Sequence, residues 1–338
     1  MTYVIGVDLG GTKTAAGLIS GAGEVLFTDV IPTLNRSGGE AILNATAALI
    51  SSLRVKAAGQ GLEVSGVGIG SAGVIDAENG SVLSATDAIL GWTGTEITAG
   101  LAGRLAIDPA NVLAVNDVHA HALGEAWRGA AANTRSSLMV AFGTGVGGSF
   151  VLNGQPLLGH HFVGGHVGHF ASPYAFHNGA PIPCVCGHSG HVEAVASGPA
   201  ILESYRRFGG HSDLPDTKAV FELAASEDPV ANMAIGVGAG AAGQAIGGLV
   251  NVLDPEVVVI SGGLADAGDR WWLPMERALR AELLAPVAPV PVVRASLGNA
   301  AALVGAASLV FTRLAPQTTS QFTITEKKNE GSDRATDL

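Results

Sequence analysis

Over roughly its first thirty residues the chain carries three apolar runs, TYVIGVDL, KTAAGLIS and EVLFTDVI, separated by GG and GAG. Short apolar runs bounded by glycine predict strands. Residues 39–58 instead space their apolar positions (Ile42, Ala45, Leu49, Leu53) as a helix does. VSGVGIGSAGVID predicts a buried strand entering a Gly-rich turn, residues 95–106 a helix, and NVLAVND a strand ending at Asn116 and Asp117. VHAHALGEAWRGA has helical character. A second block, SSLMVAFGTGVGGSFVLNGQPLL, then repeats the opening order: strand, glycine turn, strand, Asn-Gly hairpin, strand. Helix 229–252, strand EVVVIS, the turn GGLADAG, helix 270–284, strand VPVVRAS and helix 299–314 follow. Two α/β halves of like construction, each with its own glycine turn, point to an internal duplication with a ligand held between them.

Two segments need separate treatment. Residues 233–253, MAIGVGAGAAGQAIGGLVNVL, are nearly uncharged and long enough to span a bilayer. Glycine and alanine contribute little transfer energy, and Gln244 and Asn251 would have to enter lipid, so a small-residue helix packed against protein is expected instead. From Pro316 onward the chain is polar without periodicity, and residues 316–338 are expected to form a disordered or loosely attached tail.

Composition narrows the function. The 338 residues are 47% hydrophobic and 14% charged with 48 glycines, enough chain for two domains with their own cores and many tight turns. A net charge of −11 opposes sequence-independent nucleic-acid binding, which requires basic surface. The opening MTYVIGVDLGG reads as a strand without a basic n-region, so no secretory signal is expected. Two cysteines in the whole chain make no disulfide scaffold, and a reducing cytoplasm is the expected location.

Three motifs carry candidate chemistry. GVDLGGTKT puts Asp8 at a strand end and two glycines after it; glycine lets backbone N–H groups approach a phosphate, and Thr12 and Lys13 add donors. The spacing is not that of a Walker A loop, and a plain hairpin turn is the alternative. GTGVGG, residues 143–148, fits the dinucleotide fingerprint in letters only: a strand follows it, and no acidic residue occurs between Glu125 and Glu193. That acid-free window holds seven of the ten histidines and suits an anionic ligand such as the phosphates of ATP. Asp117 is a second strand-terminal carboxylate. If Asp8 serves a magnesium ion, Asp117 is available as a general base toward a substrate hydroxyl, although it could also cap the helix starting at Val118.

The third motif, PCVCGHSGHVEAVASG at residues 183–198, contains both cysteines. A disulfide, a redox pair and half of a metal site compete for it. One intervening residue places Cys184 and Cys186 poorly for an unstrained disulfide, and the Cys-x-x-Cys redox spacing is missing.

Taken in order, DLGGTKT, VGIGSAGVID, VNDVHAHALGE, GTGVGG, GGHVGH, CVCGHSGHVEAVASG and VVVISGGLADAG make the chain similar to the ROK family of the actin/hexokinase-like ATPases, from residue 3 to about 314. The resemblance implies two duplicated α/β domains of the actin-like, RNase H-like kind around an interdomain cleft. The expected division is residues 1–118 with the C-terminal helix 299–314, and residues 119–298. It further implies an ATP-dependent sugar kinase. Gly10, Gly11, Thr12 and Lys13 would form the first phosphate loop, with Asp8 near Mg²⁺; Gly143, Thr144 and Gly145 the second; Gly262 and Gly263 would border the adenosine. Asn116 and Asp117 would hold the sugar, Asp117 activating its 6-hydroxyl, with His169 and Glu193 as further contacts. Family repressors carry a DNA-reading domain ahead of the first strand, whereas Asp8 here already lies in that strand, so a kinase is expected, as a homodimer by analogy. His166 stands where family glucokinases place a glutamate, and Ser71, Ala72 and Gly73 stand where those enzymes have a proline-containing loop. Both features resemble N-acetylmannosamine kinases, making that sugar the expected substrate and glucose the alternative. The family's zinc ligands, one histidine and three cysteines, would here be His169, Cys184, Cys186 and His191, with His177 a competitor for the first position.

Overall fold

The computed structural model describes residues 2–315; the predicted tail lies outside them. Strands β1 (Tyr3–Leu9), β2 (Lys13–Ser20) and β3 (Val25–Pro32) form an antiparallel meander, and helix α1 (Gly39–Ala58) follows. Strand β4 (Val64–Ser71) runs parallel to β1, and the short hairpin β5 (Val74–Asp76) and β6 (Ser81–Ser84) leads to α2 (Ile97–Leu105), β7 (Val112–Asn116) and α3 (Asp117–Arg128). These strands make a five-stranded sheet of order β3-β2-β1-β4-β7.

The second half repeats the plan. Strands β8 (Ser136–Phe142), β9 (Val146–Leu152) and β10 (Gln155–Pro156) form the meander, and two-residue strands β11 (Phe176–His177) and β12 (Ala180–Pro181) punctuate the long loop after it. Helices α4 (Glu193–Ala196), α5 (Gly198–Arg207), α6 (Thr217–Ala225) and α7 (Pro229–Leu253) precede β13 (Val257–Ser261), α8 (Asp269–Glu282), β14 (Val292–Arg294) and α9 (Ala301–Leu314). The sheet order β10-β9-β8-β13-β14 matches the first sheet position for position. The fold is the mixed α/β, actin-like one that the sequence predicts.

Helix α9 returns to the first sheet, packing on β1 and β4 and against α3. Its approach depends on glycine: a Cβ on Gly6 would overlap the Leu303 carbonyl, and one on Gly68 the Ala306 carbonyl. Helix α7 is long and apolar enough to cross a membrane, but 67% of its most apolar window is buried. It packs along α8, and the two polar residues that would have been costly in lipid both bond that helix: Gln244 Nε2 lies 3.1 Å from Glu282 Oε1, and Asn251 Nδ2 lies 2.7 Å from the Glu282 carbonyl. Helices α5 and α6 have no counterpart in the sequence reading. Both open on capping side chains, Ser197 and Asp216.

Candidate active site

Parallel pairing aligns the functional ends of the first sheet. Asp8 pairs with Gly70, Leu9 with Ser71, and Ser71 with Asn116, so Asp8 and Asn116 sit at the same carboxyl edge. In open α/β sheets this edge is where ligands bind. Asn116 caps α3, its side-chain oxygen accepting from Val118 N–H at 2.9 Å while its amide donates to the Gly73 carbonyl at 2.9 Å. The sequence offers Asp117 as an alternative cap, for a helix starting at Val118. The cap is Asn116 because its extended backbone precedes the helix, and Asp117 is already the first helical residue, one carboxylate oxygen also accepting from Val118 N–H.

A cavity of about 380 Å³ opens beside Asp117, lined among others by Asn116, Thr144, Gly145, His166, His169 and Glu193. Burial raises the Asp117 carboxyl above the usual carboxylate range, against the lowering effect of backbone N–H groups, Asn116 and His166. Asp8, at the same sheet edge, is pushed up to about 6 by burial and by Asp117, with Lys13 pulling the other way. Two mutually repelling carboxylates at one edge are suited to a divalent cation and a base, respectively.

The first glycine loop is held from behind. Thr33 Oγ1 donates to the Gly10 carbonyl (2.8 Å), Asn35 Nδ2 to Gly11 (2.8 Å) and the Thr33 amide to Thr12 (3.0 Å). Because a trans peptide points its N–H opposite its carbonyl, the amides of Gly11, Thr12 and Lys13 face away from Thr33 and Asn35, an arrangement of donors that could receive an anion. Thr33 and Asn35 carry no motif and went unnoticed in the sequence.

The second loop is tied differently. Gly143 N–H bonds the Gly145 carbonyl (3.0 Å), and the Gly143 carbonyl accepts from Gly198 N–H at the start of α5 (2.8 Å). Glu193 Oε2 accepts from Val146 N–H at 2.7 Å, close enough that a Cβ on Gly145 would stand 2.8 Å from it. Beyond this loop lies an apolar cavity of about 800 Å³ walled by Pro199, Leu202, Phe221 and Leu264, with Thr144 and Gly263 at its edge. Gly262 lines the Asp117 cavity at φ +83° and is packed so tightly on the Phe142 carbonyl that no side chain fits. The apolar wall from α5 and α6 was not legible in the sequence.

Not every expected residue faces the cavity. Ser71 is wholly buried, with its hydroxyl accepting from Trp92 Nε1 at 3.2 Å. Of the Ser71-Ala72-Gly73 loop it is the Gly73 carbonyl that meets Asn116. His166 does line the cavity. Its Nδ1 donates to the Val163 carbonyl at 3.0 Å, which orients the ring.

His169, Cys184, Cys186 and His191 converge, with one donor atom from each lying within 4.8 Å of the others. Cys184 Sγ is 3.7 Å from His169 Nδ1, and Cys186 Sγ is 3.2 Å from His191 Nδ1. Tetrahedral zinc, with bonds of about 2.0–2.3 Å, needs donor separations of this order. Both cysteines are free thiols. Burial lowers the His169 imidazole, favouring the neutral form a metal requires, and raises the Cys184 thiol, which a metal would have to deprotonate. His177 is not in the cluster; it sits in β11 beside Asn178.

A family model described as ROK family matches residues 4–313. The chain is 32% identical over 324 residues to a glucokinase of Thermotoga maritima, covering 92% of this chain and 98% of that one. It is 32% identical over 316 residues to an N-acetyl-D-glucosamine kinase of Citrobacter koseri, covering 91% and 99%. Among solved structures, a ROK family glucokinase of Streptomyces griseus in complex with glucose and AMPPNP superposes with a TM-score of 0.74 at 28% identity, covering 92% of this chain and 99% of that one.

Proposed function

We propose that this protein, which belongs to the ROK family and is a sugar kinase, transfers the γ-phosphate of ATP to the 6-hydroxyl of an N-acylhexosamine, N-acetylmannosamine first. The observation that carries the reading is the position of Asp117: a buried carboxylate at the wall of a polar cavity that also exposes the second glycine loop. A carboxyl raised by burial is a stronger base toward a hydroxyl than one in water, and such a base contributes about 10²–10⁴-fold in rate. Phosphoryl transfer otherwise rests on positioning and on neutralising charge. The amides of Gly11, Thr12 and Lys13, with the Lys13 ammonium, would meet the phosphates from one side, and Gly143 to Gly145 from the other. Asp8 would hold Mg²⁺, which would supply positive charge to offset that of the phosphates. The apolar cavity beside Thr144 and Gly263 suits a purine, and polyphosphate as donor would have nothing to place there.

Asn116, His166, His169 and Glu193 would position the sugar. His166 puts an imidazole in place of a second carboxylate at the cavity wall, which removes an ionised acceptor from the sugar and suits a ring bearing an acylamino group. Glucose is the second reading, favoured by the glucokinases among the relatives. The His169, Cys184, Cys186 and His191 donors fit zinc in number, type and spacing. Two thiolates and two neutral imidazoles balance its charge, and four protein ligands would make the site structural. It would fix His169 and the segment leading into Glu193, whose carboxylate grips the second loop. A coupled assay across N-acetylmannosamine, N-acetylglucosamine, glucose, mannose and allose tests the reading. Dominant kcat/KM for N-acetylmannosamine is expected, and dominant kcat/KM for glucose would replace it with the second reading.

A further inference from the structure

Helix α3, which begins with Asp117, carries two further histidines that the proposed chemistry leaves unused. His119 is 2% exposed. Its Nε2 lies 2.7 Å from the Gly164 carbonyl, and because a carbonyl can only accept, the ring must donate from that nitrogen. Burial lowers this imidazole, keeping the ring neutral with its proton on Nε2. The neighbouring Gly165 sits at φ +86° with no room for a side chain, because a Cβ would overlap the Gly148 carbonyl. Its carbonyl accepts from Gly148 N–H at 2.8 Å and from Val167 N–H at 2.7 Å. The turn bearing His166 is therefore clamped between β9 and one side chain of α3. His121 points elsewhere. Two positions apart on a helix means about 200° of rotation, so the rings leave opposite sides of α3. His121 Nε2 is 3.1 Å from Ser261 Oγ, and Ser261 is the buried last residue of β13, immediately before Gly262 and Gly263.

We infer that His119 and His121 are positioning residues that tie the helix of the base to the two substrate sides separately: His119 to the sugar turn Gly164-Gly165-His166, His121 to the nucleotide turn Gly262-Gly263. The inference rests on the kinase reading for what each turn binds, but not for the mechanical link itself. Removing either ring deprives its oxygen partner, the Gly164 carbonyl or the Ser261 hydroxyl, of that hydrogen bond, a loss that corresponds to about a tenfold change in an equilibrium.

The test is a split of Michaelis constants. His119→Met keeps bulk and removes the donor, and the sugar KM is expected to rise about tenfold with the ATP KM within twofold. His119→Gln, whose amide reaches the same distance with a donor, is expected to restore the sugar KM. His121→Met is expected to do the reverse, raising the ATP KM and sparing the sugar KM. Equal changes in both constants, or no rescue by His119→Gln, would mean a general structural role and overturn the inference. Hydrogen exchange of the folded variants provides a readout free of turnover: faster exchange in residues 158–170 for His119→Met and in residues 260–266 for His121→Met is expected. If the wild type phosphorylates no sugar, the functional reading fails alone, and exchange confined to the opposite segment, or unchanged in both, overturns the link by itself.

Discussion

The two halves share a strand order but not a way of building their glycine loops. In the first half, three successive loop carbonyls are held by residues just past β3, and charge comes from Asp8 and Lys13 of the loop's own strands. In the second half the loop is held by backbone from α5 and by the Glu193 carboxylate, delivered by the segment that carries the histidine and cysteine cluster. One loop is thus self-contained within its sheet, whereas the other depends on a long insertion between β10 and α5. The two sheets share one strand order, and the second half adds longer loops around its cavities.

The largest effect should come where both halves meet. Asp117→Asn keeps the hydrogen bond to Val118 N–H available but removes the base, and turnover should fall about 10²–10⁴-fold with the melting temperature nearly unchanged. Next comes the inserted segment. Cys184→Ala should abolish stoichiometric zinc by elemental analysis, lower the thermal midpoint and raise the sugar KM about 10–100-fold. The ATP KM should move less, since the apolar wall of α5 and α6 lies on another segment. In the self-contained half, Asn35→Ala removes one donor from the first loop and should raise the ATP KM about tenfold or less, sparing the sugar KM.

The smallest effect is a pH dependence in the first half. Asp8 titrates near 6 in the fold against 3.8 for an unperturbed carboxyl. A folded value above the unfolded one means that its contribution to stability is present below about pH 4 and is lost as pH rises through about 6. Cation binding needs the opposite, ionised form. The Mg²⁺ concentration giving half-maximal rate should therefore rise as pH falls below about 6, and Asp8→Asn should remove that dependence.

The scaffold was legible because its signals are local. Glycine-bounded apolar runs located both meanders, whereas the need for Gly6 and Gly68 against the backbone of α9 emerges only in three dimensions. The loops and carboxylates were legible because motifs compress them into a few adjacent residues. Thr33, Asn35 and the wall from Pro199 to Phe221 were not. Their role comes from tertiary approach across a sheet edge, and nothing in PTLN or in two ordinary amphipathic helices announces it. Ser71 shows the converse: a residue inside a recognisable loop whose hydroxyl turns inward to Trp92. The fourth position of the metal cluster could be decided only in three dimensions, where β11 carries His177 away and the turn after His166 brings His169 in.

The central claim is that Asp117 activates a sugar hydroxyl for attack on ATP. A coupled assay of ADP release, run on wild type and Asp117→Asn across the sugar panel, tests it most directly. The account predicts sugar-dependent ADP release and a 6-phosphorylated product from the wild type, greatest with N-acetylmannosamine, and near-complete loss in the variant. Substantial turnover by folded Asp117→Asn, or no sugar-dependent release from the wild type, would contradict it.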